Sequence, residues 1–171
     1  MSGMLLYETI DKFDYEYFCG FDCGDEGLNN FLRLKANKCS DPTDCRGTTT
    51  LVTYNRALVG YYTLKNTSLL FKPDSRKLRG IPAIEITYLA IDKRYQKQGY
   101  GSTILQNIIY ETFRYSEEFS EVNAIVVSSL KDKVHFYEKN KFVKFTEIFD
   151  LPYDSCREVT EQMFLNMCME L

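Results

Sequence analysis

Between residues 83 and 113 the apolar pattern changes period, and two glycines mark the change. "AIEITYLAI" at 83–91 is rich in strong β-formers and reads as a strand. From Gly99 onward, "GYGSTILQNIIYETFRYSEEF" sets Ile104, Leu105, Ile108, Ile109 and Phe113 on one helical face. The polar run "DKRYQKQGYG" separates them. A strand needs sheet neighbours for its hydrogen bonds, and a helix with one apolar stripe needs a surface to cover it, so the chain is constrained to an α/β arrangement.

The remaining segments fit that class. "MLLYETI" at 4–10 reads as a first strand. In "FDCGDEGLNNFLRLKANK", Asp22 is placed to cap a helix that carries Leu28, Phe31, Leu32 and Lys35 at helical spacing. "TTTLVTYNRALVGYYTLKNTSLLF" reads as hairpin material with its turn at Asn55–Arg56, and Pro73 to Pro82 as a polar, basic connection. "VNAIVVSSL" is nearly all apolar, as expected where a sheet is covered on both faces. A short helix over Val134–Lys139 and two strands near 142–149 and 159–169 complete the expectation. With no repeat, low-complexity tract or linker, residues 1–171 are expected to form one domain.

Composition excludes several function classes. A net charge of -3 and a pI near 5.3 argue against a dedicated nucleic-acid binder. Acidic residues crowd the start (Glu8 to Glu26), whereas Lys72, Arg76, Lys77, Arg79, Lys93, Arg94 and Lys97 leave room for a local anion site. No apolar run approaches the roughly 20 residues that cross a bilayer. "MSGMLLYETI" lacks the features of a secretion signal, which points to the cytoplasm and away from membranes. The six cysteines form no C-x-x-C pair and the single histidine, His135, is distant, so no metal site is expected. Free structural thiols are the reading in a reducing compartment, a Cys39–Cys45 pairing is left open without support, and no cysteine nucleophile is matched to the histidine by a local motif.

The glycine loop has the makings of an anion cradle. Backbone N–H groups converge at a helix N-terminus, the helix dipole adds positive charge, and glycine permits positive φ and close approach. The signature of a P-loop, G-x-x-x-x-G-K-[ST], is missing. The third glycine of a dinucleotide-binding turn is replaced by Ile104. By itself the loop is a turn able to hold an anion.

Gln96-Lys97-Gln98-Gly99-Tyr100-Gly101 matches the Gln/Arg-x-x-Gly-x-Gly/Ala signature of the GNAT acetyltransferase superfamily. "YLAIDKRYQKQGYGSTIL" resembles that family's central strand, loop and helix. Downstream, "HFYEKNKF" resembles its F-Y-E-x-x-G-F segment, with Lys141 where glycine is usual. The resemblance covers about residues 50–145. "FDCGDEGLNNFLRLKA" further resembles the first helix of a subgroup that includes acetyltransferase toxins acting on aminoacyl-tRNA.

The resemblance implies a mixed, mostly antiparallel sheet with a central splayed parallel strand pair flanked by helices, and it implies acetyl-CoA. The pyrophosphate would lie on the backbone of Gln96, Lys97, Gln98, Gly99, Tyr100, Gly101 and Ser102. The pantetheine arm would pair with Leu89, Ala90 and Ile91, with the N–H of Leu89 or Ala90 as oxyanion donor. Lys93 and Lys97 either add charge near the phosphates or are solvated surface lysines. Tyr137 takes the position of the family's tyrosine, the proton donor to the departing thiolate. Glu85 stands where histone acetyltransferases of the superfamily carry their base. The toxin subgroup does not generally carry it, and a surface glutamate or one paired with Arg79 is the alternative. Strand alternation places Glu85, Thr87, Leu89 and Ile91 on one face. His135 reads as a helix-surface residue.

Three functions follow as expectations. The first is acetyl transfer to a primary amine of a small molecule, peptide or protein by direct attack in a ternary complex. The second is a toxin-type transfer to aminoacyl-tRNA, disfavoured by the acidic pI. The third is a non-catalytic acyl-CoA-binding regulatory module. Tyr61, Tyr62 and Tyr153 either line an acceptor pocket or pack in the core, and a homodimer is left open.

Overall fold

Asn55 and Arg56 both take positive φ, 50° and 65°, and close a two-residue hairpin at the turn read from the sequence. In the computed structural model, which describes residues 4–34, 36, 47–74, 77–144 and 160–167, that hairpin joins β2 (Thr48–Tyr54) to β3 (Ala57–Asp74). The residues fall into two compact units, 1–65 with 87–104 and 66–86 with 105–171. β3, β4 (Lys77–Ile91) and α3 (Tyr100–Glu118) contribute residues to both.

In the first unit β1 (Leu5–Thr9) runs antiparallel to β2, from Leu5↔Tyr54 to Thr9↔Thr50, and β2 pairs antiparallel with β3. Two short helices follow β1: α1 (Tyr15–Phe18) and α2 (Glu26–Leu34). The apolar face of α2 is buried: Phe31 and Leu32 join Phe18, Phe21, Leu51, Leu58, Tyr61 and Ala90 in one core. The helix cap differs from expectation. Asp25 accepts the Leu28 N–H at 3.0 Å, the geometry of an N-cap, while Asp22 is engaged elsewhere. Tyr61 is a core residue, fully buried and donating to Leu28 O at 2.8 Å.

In the second unit β4 runs parallel to β5 (Ala124–Leu130), from Ala83↔Ala124 to Ile86↔Val127. β5 is antiparallel to β7 (Thr160–Asn166), which also pairs with β6 (Val143–Lys144). β5 is buried continuously only at its start. From Ser128 to Leu130 it alternates, so the all-apolar half is the sandwiched half. Ile108 and Ile109 of α3 are buried, and Gln106 donates to Asn140 just beyond α4 (Val134–Lys139) at 3.2 Å.

The 73–82 segment corrects the sequence reading. It is strand on both sides, β3 reaching Asp74 and β4 starting at Lys77. Pro82 is tolerated because its carbonyl is the group in use, accepting Asn123 N–H at 2.9 Å. Side chains of residues 70–79, the expected strand beyond Lys144, Tyr153, Lys35 and Cys39, Cys45, Cys156 and Cys168 lie outside the described residues. Among those described, Cys19 and Cys23 are free thiols, no His/Cys/Asp/Glu cluster suits a metal, and no helix is long and apolar enough to cross a membrane.

Candidate active site

β4 outruns its parallel partner. The ladder to β5 ends at Ile86↔Val127, yet β4 continues to Ile91. Over 87–91, within the first unit, β3 flanks one edge so tightly that a Cβ on Gly60 would lie 2.5 Å from Ala90 O and 2.9 Å from Ile91 Cδ1. The other edge has no strand partner among the described residues. A free edge of this kind accepts an extended arm as an added strand.

The loop after β4 is held by buried charge. Asp92, 2% exposed, accepts Arg94 N at 3.0 Å and Arg94 Nε at 2.8 Å on Oδ1. On Oδ2 it accepts Arg94 Nη2 at 2.9 Å and Asp22 N at 3.4 Å. Burial works to raise the Asp92 pKa, but these hydrogen bonds and the guanidinium outweigh it and hold the carboxyl below its ordinary value. Asp22 sits at a second junction. It accepts Lys93 Nζ at 2.9 Å, Gly24 N at 2.9 Å and Asn29 Nδ2 at 3.1 Å, and these bonds bring its pKa down to about 2, with Lys93 foremost. Lys93 N also donates to Asp22 O at 2.8 Å. Sequence reasoning missed Asp92, Asp22 and Asn29 as organisers of the loop. The available signal was the Asp-x-Arg and Asp-x-Gly spacing, in which a carboxylate accepts the N–H two residues on.

Two side chains of the loop are engaged within the protein. Lys93 is bound to Asp22, and the Gln96 side chain donates to Cys23 O at 2.7 Å and Ile91 O at 2.8 Å. The glutamine of the signature therefore ties the loop to the end of β4. Gln98 Nε2 likewise donates to Arg94 O at 2.8 Å. The backbone remains. Lys97 and Gly99 adopt left-handed φ of 60° and 88°, and the first N–H of α3 to find a backbone acceptor is that of Thr103, on Gly99 O at 3.1 Å. The N–H groups of Tyr100, Gly101 and Ser102 precede it at the positive end of a 19-residue helix. A Cβ on Gly99 would meet no atom within 4 Å, so the loop has open space beside its amides. This geometry fits a pyrophosphate.

Glu85 and Tyr137 belong to the second unit. Glu85 is partly buried on β4, in register with Val126. Tyr137 is buried on α4, its ring edge-on to Phe136 and Phe142 at 5.0 and 5.6 Å. Its hydroxyl has no hydrogen-bond partner among the described residues, and burial pushes its pKa up to about 12. The phenol thus holds its proton throughout the neutral range. His135 is exposed, 3.8 Å from Glu138, the surface position expected of it.

A family model described as an acetyltransferase (GNAT) domain matches residues 46–144. The chain belongs to the GNAT acetyltransferase family. It is therefore an acetyltransferase, and its mixed sheet with the parallel β4–β5 pair is the GNAT fold. Similar solved structures include a KacTA–DNA complex, 25% identical with a TM-score of 0.70, covering 96% of this chain and 94% of that one. Another is a tyrosine-to-phenylalanine mutant of the AtaT toxin bound to acetyl-CoA and the C-terminus of the antitoxin AtaR. It is 26% identical with a TM-score of 0.69, covering 95% of this chain and 93% of that one. A bacterial toxin at 18% identity shares the fold, with a TM-score of 0.75 over 97% of this chain and 92% of its own. No curated protein sequence gives a significant match.

Proposed function

We propose that this GNAT protein transfers an acetyl group from acetyl-CoA to a primary amine by direct attack in a ternary complex. The observation that carries the reading is the backbone cradle of residues 96–102, with its left-handed Lys97 and Gly99 at the N-terminus of α3. Acetyl-CoA supplies an acetyl group activated as a thioester. The amides of Gln96 to Ser102 hold the pyrophosphate, and the free edge at Leu89, Ala90 and Ile91 orients the arm. The N–H of Leu89 or Ala90 donates to the carbonyl oxygen as negative charge grows there. Glu85 takes the proton that the substrate ammonium must lose before its nitrogen can attack the thioester carbonyl, and Tyr137 gives its proton to the departing sulfur. The family match spans residues of both units, which supports one catalytic domain.

The likeness to the AtaT toxin, also solved in complex with acetyl-methionyl-tRNA, supports a second reading, in which the acceptor is the amino group of an aminoacyl-tRNA and the partner an antitoxin. One experiment addresses both. Purified protein is mixed with acetyl-CoA and a panel of amines that includes charged tRNA, and thiol release is followed. Release with simple amines supports the first reading, and release confined to charged tRNA the second. An absence of both release and an acetyl-CoA-induced thermal shift would sink the reading.

A further inference from the structure

The turn between β2 and β3 carries an arginine where its geometry favours glycine. Asn55 and Arg56 both take left-handed φ, and the preferred pair for a two-residue hairpin of this kind is Asn-Gly. Asparagine tolerates that conformation, whereas arginine meets the Cβ penalty that glycine escapes. Backbone strain that a fold retains points to a use for the side chain. The Arg56 side chain has no hydrogen bond or ion pair among the described residues, so the fold itself does not use it.

Arg56 lines a cleft of about 350 Å³ that lies wholly within the first unit. The cleft runs between α1, the β2–β3 turn and the loop after β4, and the Tyr17 hydroxyl ties α1 to the turn by donating to Arg56 O at 2.7 Å. Its volume is at the small end of the range for ligand pockets, about 300–1,000 Å³. Phe21 and Leu58 give it apolar lining, and Glu16 and Arg94 add charge. Asp92 engages Nε and Nη2 of Arg94 and leaves Nη1 uncommitted. Two guanidiniums suit a carboxylate. Glu16 in the lining and Asp92 behind Arg94 disfavour a polyanion. The Glu16 carboxylate has no partner among the described residues either, and an ammonium on the same ligand would supply one. No residue of the cleft belongs to the cradle of 96–102 or to the strand edge at 89–91.

We propose that this cleft binds a small zwitterion of the α-amino acid class. Its carboxylate lies on Arg56 and Arg94, its ammonium on Glu16, and its apolar part against Phe21 and Leu58. Leucine, methionine and phenylalanine are titrated calorimetrically into wild type, Arg56→Gly and Arg56→Gln, beside their N-acetyl and amide derivatives, which each lack one charge. At least one of the three amino acids should bind wild type, and its two derivatives about tenfold more weakly or worse, the effect of one charge-assisted hydrogen bond. Both variants should lose at least tenfold in affinity. Arg56→Gly, which relieves the turn, should melt no earlier than ligand-free wild type. Saturating CoA, which has no acetyl group to transfer, should not displace the amino acid. Failure of all three amino acids to bind overturns the proposal. So does undiminished affinity in Arg56→Gln, equal affinity for the derivatives, displacement by CoA, or an Arg56→Gly that melts earlier or does not fold.

Discussion

Arg94 closes a two-pronged fork on Asp92, its Nε and Nη2 donating to the two carboxylate oxygens at 2.8 and 2.9 Å. The carboxylate is buried whereas the guanidinium is largely solvated, so the pair is a local clamp at the exit of β4. It curls the chain into the loop whose backbone forms the cradle. Asp92→Asn keeps the shape but removes the charge. It is expected to lower unfolding free energy by about 1–3 kcal/mol in urea titrations and to weaken acetyl-CoA binding. Wild-type values for both would show that the clamp does not organise the loop.

The same carboxylates set an acid limit. Asp92 and Asp22 are held below their ordinary values in the folded chain, so each contributes stability above the unfolded pKa and loses it as pH falls through the folded one. For Asp22 that window runs from about 4 to about 2. Asp22 is exposed and screened, so Asp92 should account for the larger part. Urea midpoints taken from pH 7 down to pH 2.5 should fall in wild type and fall less in Asp92→Asn. Parallel curves would assign the acid sensitivity to other groups.

Much of this was legible in the sequence, for identifiable reasons. Asn55–Arg56 between β-rich runs, and the Gly99 turn before a periodic apolar face, are local signals whose backbone demands are met within a few residues. The 73–82 segment misled because its two prolines and its charges read as punctuation, while strand status there depends on neighbours remote in the chain. Assigning the helix cap to Asp22 failed for a related reason. Asp22 and Asp25 are both suitable types, and the choice was made by Lys93, which is 71 positions away from Asp22. The signature glutamine was recognised, but not the use of its side chain as a strut to Cys23 O.

Gly99 and Gly60 separate ligand space from packing space. Gly99→Ala adds a methyl where no protein atom lies, so it should cost stability only the left-handed backbone strain of about 1–2 kcal/mol while weakening acetyl-CoA binding at least tenfold. Gly60→Ala drives a methyl into Ala90 O and should lower stability by about 1–3 kcal/mol or more, with binding lost through displacement of β4. Calorimetric titration beside urea unfolding distinguishes the two. Retained affinity in Gly99→Ala would remove the loop from the binding site.

Tyr137→Phe keeps the ring among Phe136 and Phe142 and deletes only the hydroxyl. Acetyl-CoA affinity and Tm should match wild type, and kcat should fall about 10²–10⁴-fold, the range for a lost general acid. Because the phenol titrates near 12, no basic limb of the wild-type rate below pH 10 should belong to it. An undiminished kcat would strip Tyr137 of the acid role.

The chain leaves its first unit at residue 65, returns at 87 and leaves again at 104. No single cut can therefore release either unit as a continuous polypeptide, and three crossing elements would each be severed within a strand or helix. β3 and β4 are neighbours both in the sheet and along the sequence, whereas the Ala83↔Ala124 rung joins residues far apart. Loop closure makes that parallel pairing the slow contact to form. Nicking between residues 65 and 66 should then alter the unfolding of both units rather than release one of them intact.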